Sequence, residues 1–157
     1  MKNIPTLYQW AGGKETLEKL TTVFYGKVLK DEVLYPVFKN MGSDHPKHVA
    51  HFIAEVFGGP NLYTEGDNGS HAGMVAHHVG KMLDEAKRKR WIDLLLESAD
   101  EIGLASDPEF RSALVGYLEW GSRIAVNNST THENPVKQGE PMPKWGWGDT
   151  GGPYIPG

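Results

Sequence analysis

Apolar residues in this chain recur at the spacing of an α-helix and almost nowhere at that of a strand. Glycine and proline cut the pattern into short lengths. Leu17, Leu20, Thr21, Phe24 and Val28 follow the i, i+3, i+4 rule of a helix with one apolar face. Gly12-Gly13 divides this helix from a short piece at Leu7–Ala11. Asp31-Glu32-Val33-Leu34 opens another turn, which Pro36 should keep brief. A helix begins near Ser43-Asp44, carries Val49, Phe52, Ile53, Val56 and Phe57, and stops at Gly58-Gly59-Pro60. After a loop around Gly66–Gly69, the pattern predicts a short helix over Ala72–Met82 and a long one over Glu85–Ile102. Asp107-Pro108 marks the start of a last helix, an N-cap followed by proline at the first helical position, ending near Asn127-Asn128.

The pattern supports one all-α domain over residues 1–130. Beyond it the composition changes to a Pro/Gly-rich stretch without period, so residues 131–157 read as an irregular tail, disordered or draped on the surface. Such a tail offers no helical face to pack. Deleting residues 135–157 is accordingly expected to leave haem binding, argued below, and stability nearly unchanged.

Composition excludes several functions. The net charge of −4 gives no basic footprint for nucleic acid, and the run Lys87–Arg90 reads as a solvated helix start or loop. No stretch is apolar enough to span a bilayer, so a membrane role is not expected and a cytoplasmic protein is. The chain has no cysteine, which removes disulfides, iron–sulfur clusters and thiol catalysis, and suits a reducing cytosol.

Seven histidines raise the question of a metal. Each residue advances about 100° round a helix. On the helix carrying Val49, His45 falls inside the apolar face, His48 at its edge and His51 on the opposite side. On Ala72–Met82 the apolar face comprises Met74, Val75, Val79 and Met82; His78 points with it and His77 away. An inward imidazole needs a partner, and both a backbone carbonyl and a metal qualify. No helix gathers a zinc set, and no Glu stands three residues before a His as di-iron helices require. One inward histidine among Phe, Met, Val and Trp suits haem better, which needs one ligand and an apolar slot.

The ordered set resembles the truncated, two-over-two haemoglobins, and within them group II. It comprises Phe24-Tyr25, Asp31–Leu34, Phe38, Phe52, Phe57–Pro60, Tyr63-Thr64-Glu65 and His71. His78 follows seven residues after His71, and Trp91 thirteen after that. The resemblance covers about residues 5–130. It implies a two-over-two helical sandwich around haem b (iron protoporphyrin IX), with His78 as the iron ligand. Tyr25, His45 and Trp91 would be the distal residues facing the gas, and Phe38, Val49 and Phe52 would line the haem. Where related chains carry a basic residue before the ligand, this one has His77; Gly80 and Lys81 replace a usual Pro and Phe, and the Gly69–His71 region holds one extra residue. Tyr63 and His77 are the candidates for the haem propionates.

The implied function is binding of O₂ or another diatomic gas such as CO or NO. Three inward donors favour slow release, and thus storage, sensing or redox protection over bulk transport. A haem peroxidase or nitric oxide dioxygenase fed by a reductase is the rival reading, and a haem-free helical interaction domain a third. The resemblance leaves monomer and homodimer open.

Overall fold

The computed structural model describes residues 3–76, 81–130, 133–137 and 139–153. Among these the architecture is all-helical. The elements are α1 (Leu7–Ala11), α2 (Gly13–Val28), α3 (Tyr35–Phe38), α4 (His45–Val56), a π-turn (Leu62–Gly66), α5 (His71–Ala76), α6 (Glu85–Glu101) and α7 (Pro108–Ser129). A 3₁₀ turn at Gly148–Thr150 lies in the tail.

Helix α2 is the hub, packing on α1, α4 and α6, while α6 packs on α7 and α4 on the π-turn. The pairs α2/α4 and α6/α7 are the two layers of the expected sandwich. Between them lie Leu17, Leu20, Phe24, Val28, Ile53, Val56, Phe57, Leu95, Phe110 and Leu118, all buried. Each long helix starts where its sequence supplies a cap. Asp84 accepts from Lys87 N–H at 2.9 Å, and Asp107 from Phe110 N–H at 3.0 Å. Gly12 bends the chain from α1 into α2 with φ +108°, and a Cβ there would lie 2.5 Å from Thr16 Oγ1.

Several expectations need correction. Pro36 stands in the first turn of α3 and helps to start it, since proline costs nothing where the N–H has no helical partner. The helix expected over Ala72–Met82 is seen as His71–Ala76. Residues 81–84 are not helical, and Met82 has φ +54° and is exposed. The basic run lies inside α6 and is only partly solvated. Arg88 is buried and paired with Glu85 at 2.8 Å and Glu119 at 3.4 Å. Arg90 bonds Asp31 at 2.6 Å. Burial would raise the Asp31 pKa, but Arg90 and the N–H groups of Leu34 and Val33 outweigh it and hold it below the usual range. That link of α6 to the turn before α3 is therefore present at neutral pH and lost on acidification through the lowered pKa.

The tail is irregular, as its composition suggests, yet it is firmly docked. Trp145 N–H donates to Val56 O at 2.9 Å and Lys144 Nζ to Glu55 O at 3.1 Å, which satisfies carbonyls at the open C-terminal end of α4. The Trp145 indole donates to Ala113 O of α7 at 2.9 Å, and that of Trp147 to Pro5 O ahead of α1 at 2.8 Å. Both rings pack on the core. Asn134 donates to Ala72 O of α5 at 2.7 Å.

Candidate haem site

Three helices deliver the distal candidates to one point. Tyr25 lies in the last turns of α2, His45 opens α4 and Trp91 stands in the second turn of α6. The Tyr25 hydroxyl is 3.1 Å from His45 Nε2 and is hydrogen-bonded by the Trp91 side chain. An indole only donates, so the Trp91 N–H gives its hydrogen to the Tyr25 oxygen. Burial pushes the Tyr25 pKa far above its ordinary value, outweighing the lowering by Trp91, so the hydroxyl keeps its proton. Phe38 closes the group, its ring 5.6 Å from that of Tyr25 and 6.1 Å from that of His45. The Trp91 ring stands edge-on to Phe24 at 5.7 Å.

The lining candidates continue along α4. Val49 is partly buried, and Phe52 is buried with its ring 5.3 Å from Tyr63. The π-turn carrying Tyr63 is tied to α4 by Glu55, whose carboxylate accepts from Thr64 N–H at 2.9 Å and from the Thr64 hydroxyl. The Tyr63 ring lies against Gly69, where a Cβ would come within 2.3 Å, so only glycine fits there. The structure thus brings together Tyr25, Phe38, His45 and Trp91, and separately Phe52 and Tyr63. His77 and His78 lie outside the described residues.

Sequence reasoning missed one group. His51, expected on the exposed side of α4, is buried. Its Nδ1 is 2.7 Å from Asp67 Oδ2 and its Nε2 2.7 Å from Glu18 Oε1. Helix α4 is covered on two sides, by α2 and by the π-turn, so a single-face wheel placed His51 wrongly.

The residues present fit a haem. Phe38, Val49, Met74 and Trp91 are large apolar side chains left only partly buried beside the core. The polar groups among them are neutral donors suited to a small ligand. Among the described residues no cluster of three His, Cys, Asp or Glu side chains could hold a bare metal ion. His71 Nδ1, beside Tyr63, is buried without a hydrogen-bond partner.

Residues 6–120 match the bacterial-like globin family. The chain belongs to that family. Within it the chain is similar to the group 2 truncated haemoglobin YjbI of Bacillus subtilis, 29% identical over 77% of this chain and 89% of that one. It is 32% identical to a group 1 truncated haemoglobin of Tetrahymena pyriformis, over 66% of this chain and 82% of the relative. Among solved structures it resembles the truncated oxygen-avid haemoglobin of Bacillus subtilis, with a TM-score of 0.68 and 27% identity, covering 78% of this chain and all of that one. Truncated haemoglobins bind haem and oxygen, and this globin has their fold. No helix among its described residues is long and apolar enough to cross a membrane.

Proposed function

We propose that this globin binds haem b through His78 and holds O₂, or a similar gas such as CO or NO, with slow release. The observation that supports this is the convergence of His45 and Trp91 on the Tyr25 hydroxyl. Haem supplies the iron at which a diatomic gas binds. The chain supplies apolar walls from Phe38, Val49 and Phe52, and a proton held at one defined atom.

A hydroxyl has one hydrogen and two acceptor sites. Trp91 N–H occupies one acceptor of Tyr25. When His45 carries its hydrogen on Nε2 it occupies the second, and the Tyr25 hydrogen is free to point at a polarised ligand. When His45 Nε2 is bare, the Tyr25 hydrogen turns to it instead. Tyr25 is therefore the donor to the gas, while Trp91 and His45 orient it. Such an arrangement serves storage, sensing or redox protection in the cytoplasm better than rapid carriage. A reductase would keep the iron ferrous.

One such hydrogen bond contributes about 0.5–1.5 kcal/mol. Tyr25→Phe is expected to speed O₂ release from the ferrous protein about two- to tenfold. Trp91→Phe should speed it less, and the double variant should match Tyr25→Phe alone, because Trp91 acts through Tyr25. CO release, from a less polar ligand, should change less. Stopped-flow measurement of O₂ release decides the matter; unchanged rates in both variants with haem still bound would reduce the network to packing.

A further inference from the structure

A buried imidazole nitrogen without a partner is a destabilising feature, costing about 1–3 kcal/mol if nothing ever pairs with it. His71 Nδ1 is such an atom. Its surroundings are well fixed. Ser70 caps α5, its hydroxyl accepting from Gly73 N–H at 2.9 Å and its carbonyl from Met74 N–H at 2.9 Å. The backbone of Ser70 is hydrogen-bonded to the Tyr63 hydroxyl, and the Tyr63 ring is pressed against Gly69. His71 thus follows directly on a loop that Tyr63 locks in place, and Tyr63 in turn meets Phe52 on the proposed haem wall.

Position along the sequence adds a second constraint. His71 precedes His78 by seven residues. On a helical repeat that is about 700°, within about 20° of two full turns, and about 10 Å of rise. By this spacing His71 shares a stripe with the candidate iron ligand and is displaced from it by about the distance from the centre of a porphyrin to its carboxylate edge. The position before His78 holds a histidine where relatives place a permanent cation, so a donor to that carboxylate edge is wanted from elsewhere in the chain.

We infer that His71 is a haem-binding residue whose Nδ1–H donates a hydrogen bond to a propionate carboxylate, alongside Tyr63. This rests on the reading that the chain binds haem. Holding its hydrogen on Nδ1, the ring offers the carboxylate a neutral donor already fixed in place before haem arrives, which limits the ordering cost of binding. The site therefore selects a tetrapyrrole that carries free carboxylates at this edge.

Haem and its dimethyl ester distinguish this contact from packing, since they differ only in whether the carboxylates can accept strongly. The rate of haem loss to an excess of apomyoglobin is measured for both pigments in the full-length protein. The wild type is expected to hold haem about tenfold or more longer than the ester, the size of one hydrogen bond to a charged group. His71→Leu and His71→Gln should lose most of that preference, and the ester itself should leave all variants at similar rates. His71→Asn should restore the preference, because its amide nitrogen occupies the place of Nδ1, whereas that of glutamine falls nearer Nε2. Circular dichroism of each apo-protein verifies that helix content is unchanged. An unaltered preference in His71→Leu and His71→Gln, or equal acceleration for both pigments, overturns the role of His71 while leaving haem binding intact. A wild type that takes up neither pigment overturns the haem reading itself.

Discussion

Removal of residues 133–157 is expected to lower the melting temperature of the haem-loaded protein by about 8–16 °C. The expectation from composition alone was almost no change, and the docking of the tail reverses it. Trp145 and Trp147 each bury much of a large ring, and three hydrogen bonds tie this stretch to α4 and α7 and to Pro5. Burial of a large side chain contributes about 1.5–3 kcal/mol and each hydrogen bond about 1 kcal/mol. A total of about 4 kcal/mol then corresponds to that shift for a chain of this size. Trp145→Ala should account for a large share, because its backbone also closes the end of α4 and its ring meets Tyr117 and Trp120 at 5.9 and 5.5 Å. Calorimetry of the truncated and single variants provides the check. A shift under about 2 °C would mean that the tail rests on the surface without supporting it.

His51→Leu is expected to cost about 3 kcal/mol. The imidazole lies between Asp67 and Glu18, with Lys14 beyond Glu18 at 3.7 Å. It binds three separate elements, since Glu18 belongs to α2, His51 to α4 and Asp67 follows the π-turn. Leucine would leave two carboxylates facing an apolar group that satisfies neither, and that residual mismatch is the larger part of the cost. The combined variant His51→Leu, Glu18→Gln, Asp67→Asn should therefore recover much of the loss. Urea unfolding of the single and combined variants measures both. Equal stability of His51→Leu and the wild type would show that the two 2.7 Å contacts contribute nothing.

The helices were legible wherever a local signal and a long apolar stripe agreed. Asp107-Pro108 marks the start of α7 and Gly58-Gly59-Pro60 the end of α4, because caps and breakers act through neighbouring backbone. Pro36 was misread because proline suits both the first turn of a helix and the chain beyond its end, and sequence alone does not choose. The apolar period ran on to Met82, but that residue is exposed and the backbone there has left the helix. His51 illustrates the main limit. A helical wheel assumes one buried face, whereas α4 is covered by α2 and by a π-turn for which no sequence signal exists. Arg88, Glu55 and the tail tryptophans share this character, since their partners lie far away in the chain. In the candidate site, Tyr25, His45 and Trp91 were each legible through resemblance, while their meeting at one hydroxyl is a property of the fold.

Absorbance titration of the apo-protein with haem, run on the wild type, His77→Ala and His78→Ala, tests most directly whether this chain is a globin ligated through His78. The wild type and His77→Ala are expected to develop a strong Soret band that saturates at one equivalent, and His78→Ala to bind at least an order of magnitude more weakly, as loss of the axial ligand requires. A wild type without the band, or a band lost in His77→Ala and kept in His78→Ala, would contradict it.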